Sequence, residues 1–496
     1  MRRKQDAGLS AAIALGRFGL GARAGEIDAI AGDPRGWLDD QIRPEGAANP
    51  DGPLQTTSDR IRRFLDYQQE SQGARQAREA AVPSPASAMA DDAQARAAFD
   101  ARRESRRSLM QDTAQEFLAR AQLGTTTPAG FAERWALFWA NAFTVSATKF
   151  QSAIFIGQYE REAIRPHVFG RFEDLAVAAE THPAMLLYLD QAQSIGPNSQ
   201  AGARREAGLN ENLAREILEL HTVGAEGGYA QADVTEFARA LTGWSIPAAR
   251  DGGAGRAGRR GGGRRRAMQA SQVDDAAGTG FLFRANIHEP GERRVMGGTY
   301  AEGGADQGEA ILRDLANRPE TARRLARNLA RHFVADEPPP ALVGRLEAAW
   351  TGSGGDLAQV ARALITAPEA WEPQLRKIKT PYEFIVSSHR ALGTRPQRPQ
   401  PLQQALMQMG QPAFSAPSPE GWPDTASDWA GPDALVKRLN WARLVGDTAQ
   451  DADPNAVAAG ALGPRLSERS RLAVARAESR SEALTLFLMS PEFQRR

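Results

Sequence analysis

Apolar residues recur at three- and four-residue intervals through most of this chain, and Ala, Leu, Arg and Glu fill the positions between them. That pattern predicts a mainly α fold, a multi-helix globular body. Leu209, Leu213, Ile217 and Leu220 share one helical face. Phe131, Trp135, Phe138, Trp139 and Ala142 share another, and an aromatic stripe of this kind reads as core. Three stretches break the pattern. Residues 45–58 are rich in Gly, Pro, Asp and Thr and read as a loop. Residues 68–107 are polar and read as exposed helices around a mobile linker at Val82-Pro83-Ser84-Pro85. Residues 248–275, with seven arginines among glycines, read as a disordered insertion. Phe281-Leu282-Phe283 and Arg294-Val295-Met296 flank a Pro290-Gly291 pair, which predicts one small β-hairpin. Arg318-Pro319-Glu320, Pro368-Glu369 and Ser490-Pro491-Glu492 repeat a helix-start device, Pro near the first position and Glu in the first turn.

Composition narrows the chemistry more than it names it. Net charge is +1, so overall charge favours neither nucleic acid nor a membrane surface as partner. There is no cysteine, which excludes disulfides, thiolate metal sites, iron–sulfur clusters and a cysteine nucleophile. No haem is expected, and a divalent metal is left open. Arg2, Arg3 and Lys4 precede the short apolar run Leu9 to Gly16, read as a retained segment, so a cytoplasmic location is expected, with export as the alternative. No apolar run approaches the roughly 20 residues of a spanning helix. The arginine tract at 250–266 could hold phosphates, but a tolerated loop extension explains it as well, so nucleic acid is the weaker alternative.

The helix Asn210 to His221 carries the most candidate chemistry. Counted at about 100° per residue, Glu216 lies at the edge of the apolar face, with Asn212 and Glu219 on one flank and His221 with Asn210 on the other. Glu216 is either a functional carboxylate or half of a structural ion pair, because a charge at a core edge is costly unless paired. His221 closes the helix ahead of Gly224 and could be a cap or a ligand. Asp233 begins the next helix, where a cap is the default. His288 stands in the predicted turn, where binding residues concentrate. His332 lies on the Leu325/Leu329 face and reads as a satisfied core histidine. Glu216, His221, Asp233 and His288 are therefore the candidate catalytic set, with Asn141, Asn212, Arg215 and Trp139 as candidate substrate-binding groups. Carboxylates with histidines suit acid–base or metal-assisted hydrolytic work. No Walker loop, H-E-x-x-H, G-x-S-x-G or dinucleotide fingerprint is present.

Several stretches together resemble a known family. They include Arg17-Phe18-Gly19-Leu20-Gly21-Ala22, Phe138-Trp139-Ala140-Asn141, Asn210-Glu211-Asn212 through Gly224, Leu241-Thr242-Gly243-Trp244, Lys379-Thr380-Pro381, Gly421-Trp422-Pro423 and Ser490-Pro491-Glu492-Phe493. On these the chain resembles the bacterial domain-of-unknown-function 1800 family over nearly its whole length, so 1–496 is read as one unit. The resemblance implies a helical fold but no activity. It also implies a partner, since relatives are often encoded beside a sulfatase-like protein of the domain-of-unknown-function 1501 type. Ala142 stands where the family pattern usually has histidine, and Ala230 replaces a common threonine. The functional readings are thus an enzyme with an acid–base or hydrolytic site, a non-catalytic helical scaffold or partner, or a weak nucleic-acid binder.

Overall fold

The computed structural model describes residues 2–80, 88–204, 208–247, 280–449 and 451–496. The Val82–Pro85 break and the insertion expected at 248–275 lie outside them. The described chain is mostly helix, as the periodicity predicts, with two small two-stranded antiparallel sheets. None of the described helices is long and apolar enough to cross a membrane.

Helix α1 (Arg2–Ile13) runs into a π-turn, Ala14–Phe18, whose buried Ala14, Leu15 and Phe18 enter the core. Two long helices follow, α2 (Thr57–Ala80) and α3 (Ala88–Thr126). They pack antiparallel: Arg63 reaches Ser108 and Asp112, while Arg60 reaches the Leu109 carbonyl. The aromatic helix α4 (Gly130–Ala142) is buried along the predicted stripe, with Trp135 and Trp139 fully enclosed.

The apolar side chains form two clusters. The larger runs from α1 through residue 370 and contains the α4 aromatics. The smaller joins Leu20 and the C-terminal part of α3 to residues 382–493. Buried arginines stitch the segments together. Arg17 donates to the carbonyls of Ala370, Glu372 and Gln374, and Arg390 donates to those of Gly21, Gly124 and Thr127. Guanidinium has several donors and no acceptor, so one side chain can satisfy several loop carbonyls at once.

The expected hairpin forms differently. Leu282–Phe283 pairs with Trp244–Ser245, not with 294–296. Arg293–Val295 pairs instead with Gly298–Tyr300 across Met296 and Gly297, both at positive φ. Two central residues of positive φ make the tight turn whose twist suits antiparallel strands. The Pro290-Gly291 pair marks a bend but not the strand-connecting turn.

Candidate functional site

A cavity of about 130 Å³ opens at the seam of the two apolar clusters. Leu20, Phe117, Leu137, Ile156, Leu406 and Phe414 supply its apolar wall. Several segments deliver its polar groups, Arg120 and Glu160 among them. Helix α4 presents Arg134 and Asn141, seven residues apart and so on one face. Helix α5 (Pro319–Phe333) presents His332 in its last turn. Helix α6 (Pro381–Leu392) presents Tyr382 and Glu383 in its first turn. Thr380 and Glu383 form a capping box there: Thr380 Oγ1 accepts from the Glu383 amide, and the Glu383 carboxylate accepts from the Thr380 amide. The loop before residue 425 brings in Trp422 and Asp424.

That loop is held by Asn141, whose Nδ2 donates to the Trp422 carbonyl (3.1 Å) while its Oδ1 accepts from the Trp422 amide (2.8 Å). The approach is close enough that Gly421, at φ +91°, has no room for a Cβ. Pro423 and Asp424 follow, and Asp424 Oδ2 lies 2.8 Å from His332 Nδ1.

The electrostatics of this pair follow from burial among cations. Burial alone would raise the Asp424 carboxyl, but His332, Lys377 and Arg496 outweigh it and hold the carboxyl below its usual range. Lys377 Nζ stands 3.2 Å and Arg496 Nη2 3.6 Å from Asp424 Oδ1. Burial, with help from Arg496 and Arg134, lowers His332 below 6.5 despite Asp424. At neutral pH the pair is therefore a carboxylate and a neutral imidazole. Nδ1 carries the proton towards Asp424, leaving Nε2 as an acceptor, and Nε2 is buried without a partner. Arg134 pairs with Glu383, which also accepts from Arg496 Nε at 3.2 Å. Arg120 pairs with Glu160 at 2.6 Å and lies over the rings of Phe117, Tyr382 and Phe414. Tyr382 is pushed up to about 12 by burial, and its hydroxyl has no partner.

The residues singled out in the sequence are dispersed. Asn141 is in the cavity wall. Trp139 is core, packed on Trp135, Phe143, Phe172 and Trp350. Ala142 is half-buried and packs against the same core. Asn212 is exposed at the start of the helix Asn212–Glu216. Arg215 bonds Glu211 and Gln231, each at 3.0 Å. Asp233 accepts from the Ala230 amide (2.7 Å), the half of a capping box that the third helical residue supplies, and from the Met296 amide (2.6 Å) in the tight turn. His288 Nδ1 lies 2.7 Å from the Thr242 carbonyl oxygen, and the neighbouring Glu289 accepts from Asn198.

Glu216 and His221 stand closer together than the sequence pattern predicts. The α-helical count puts them about 140° apart. The chain instead makes a π-turn, Ile217–His221, which closes i to i+5 and brings the two into electrostatic contact. Glu216 has no hydrogen bond or ion pair among the described residues, so the expected arginine partner does not appear. His221 turns inward, onto Glu180.

Sequence reasoning passed over Asp424, Tyr382, Glu383 and Glu180, and took His332 as satisfied when only one of its nitrogens is. The available signal was the set of stretches carrying the resemblance: Leu20, Asn141, Thr380, Trp422 and Pro423 all line this cavity. No curated protein and no solved structure matches the chain. A family model described as a protein of unknown function (DUF1800) matches residues 13–495, nearly the whole length, and the chain therefore belongs to the domain-of-unknown-function 1800 family.

Proposed function

We propose that the seam cavity is an acid–base site for a small, uncharged, ring-sized molecule bearing an oxygen. The observation that carries the reading is the His332–Asp424 pair at the cavity, with the second imidazole nitrogen unpartnered. Asp424 fixes the ring and its tautomer, and His332 Nε2 takes a proton from water or from a ligand hydroxyl. The Tyr382 hydroxyl, kept protonated by burial, donates to the ligand's oxygen. The cations of the cavity are already matched, Arg120 to Glu160 and Arg134 to Glu383, which favours a neutral ligand over an anion. Cavities of about 150 Å³ hold benzene, so the size suits a single ring.

Hydrolysis of neutral aryl esters, with 4-nitrophenyl acetate as probe, tests this. Wild type is expected to turn the ester over with an apparent pKa below 6.5, and His332→Gln to lose at least tenfold while staying folded. Equal rates in the two proteins across the pH range would sink the reading.

A further inference from the structure

A buried lysine stands behind the His332–Asp424 pair. Residues 377–379 run antiparallel to 494–496: the Lys379 amide donates to the Gln494 carbonyl at 3.0 Å, and the Arg496 amide to the Lys377 carbonyl at 2.9 Å. This pairing sets Lys377 and Arg496 side by side. The Lys377 side chain is closed off from solvent, at 1% exposure. A buried ammonium is costly unless acceptors surround it, and it has three donors to offer them. Lys377 Nζ donates to Asp336 Oδ1 at 2.6 Å and to the Asp424 carbonyl oxygen, and it stands 3.2 Å from Asp424 Oδ1.

The two acids reach the lysine from different segments. Asp336 lies just past the end of α5, the helix that presents His332. Its second oxygen accepts from the Ala426 amide at 2.8 Å. Asp424 belongs to the loop, whose main chain is fastened on either side of it. Asn141 holds Trp422, Trp429 Nε1 donates to the Pro423 carbonyl at 2.9 Å, and Asp336 holds Ala426. Those contacts leave the Asp424 carboxylate free to turn about its own side-chain bonds. Lys377 touches Asp424 at carbonyl and carboxylate together, which fixes the side chain relative to its main chain. Among the described residues one other lysine or arginine reaches Asp424. It is Arg496, further off at 3.6 Å, with Nε given to Glu383 and Nη1 to the His332 carbonyl.

We infer that Lys377, oriented by Asp336, is a positioning residue for His332: it holds Asp424 with one oxygen towards His332 Nδ1, which keeps the imidazole proton on Nδ1 and leaves Nε2 as the acceptor. Its bearing on catalysis rests on the reading of His332 as the base. A neutral imidazole takes the tautomer that its hydrogen bonds select. An Asp424 released from Lys377 turns towards Arg496 and no longer directs the ring. The proton is then shared between Nδ1 and Nε2, and a ring protonated on Nε2 has no lone pair to offer a ligand there.

Imidazole nitrogen NMR on the full chain carrying isotope-labelled histidine tests this at neutral pH, with the His332 signals identified by their absence in His332→Gln. Wild type is expected to show Nδ1 protonated and Nε2 bare. Lys377→Met keeps a stem without the charge. It should move the Nε2 signal towards the protonated range and lower kcat on 4-nitrophenyl acetate about tenfold with KM unchanged. Asp336→Asn keeps an acceptor for the Ala426 amide but loosens Lys377, so it should move the same signal part of the way. It decides the matter where Lys377→Met does not fold. A lysine that only stabilised the fold would lower stability and leave the tautomer alone. The wild-type tautomer in folded Lys377→Met, or in Asp336→Asn where the first variant does not fold, overturns the inference. So does a wild type whose proton sits on Nε2. A wild type without esterase activity would remove the role of His332 as base, and the nitrogen signals would still decide what holds the ring.

Discussion

Gly421→Ala probes the cavity wall at the point where the fold leaves least room. At φ +91° a non-glycine residue gives up about 1–2 kcal/mol. The added Cβ would stand 2.6 Å from the Asn141 carbonyl oxygen and 2.8 Å from both Asn141 Oδ1 and Thr144 Oγ1. Two of those atoms are on the residue that holds Trp422, so relief means moving the clamp. Crowding of this kind costs about 1–3 kcal/mol, and the total is about 2–5 kcal/mol. Gly393→Ala is the control, because Gly393 has φ +65° and nothing within 4 Å of a built Cβ. It should lose only the conformational part, about 1–2 kcal/mol. Urea unfolding of both variants measures the difference. Trp422 fluorescence should shift in Gly421→Ala alone. Equal destabilisation of the two variants would refute the argument from close approach, and so would a Gly421→Ala protein as stable as wild type.

His182 Nδ1 accepts from the Ala184 amide at 3.1 Å while Nε2 faces Thr57 Oγ1 at 3.0 Å, and burial pulls the imidazole down to about 3. The unfolded chain therefore takes up a proton below about pH 6.5 that the folded chain refuses. Stability is full above that pH and falls by about 1.4 kcal/mol per unit as acid is added towards pH 3. His182→Asn, which keeps a cap acceptor and cannot titrate, should flatten the stability profile between pH 6 and 4 by about that slope; unchanged slopes would count against the assignment. Arg165 and Glu133 form a buried two-pronged pair at 2.7 and 2.9 Å. Arg165→Met should cost about 3–5 kcal/mol by stranding the carboxylate, and adding Glu133→Leu should recover part of it in the same unfolding assay. Asp233→Ala removes acceptors from the Ala230 and Met296 amides. A loss of about 1–3 kcal/mol in stability is expected in the same unfolding assay; a variant as stable as wild type would count against that role.

The helices were legible because periodicity and propensity act locally. The α4 aromatic stripe, the proline-led helix starts and the Asp233 cap could all be read from neighbours a few residues away. The hairpin was misplaced because short apolar runs do not name their partners: Leu282–Phe283 found Trp244–Ser245, some forty residues back. The buried arginines were invisible for a related reason. Arg17, Arg134, Arg390 and Arg496 count as polar in any pattern, yet each is fully enclosed because distant carbonyls or carboxylates meet its donors. His221 shows the limit within a single helix. One inserted residue in the turn changes which neighbours it faces, and no local signal announced the insertion.

By itself, then, the sequence determined the family, the helical class and the absence of thiol chemistry, since these depend on composition, on short-range spacing and on motif stretches. The tertiary structure alone decided which polar groups meet. Asp424 reaches His332 across ninety-two residues, and Glu180 reaches His221 from another helix. Burial then set their charges. Desolvation depends on everything packed around a group, and that is a property of the assembled fold.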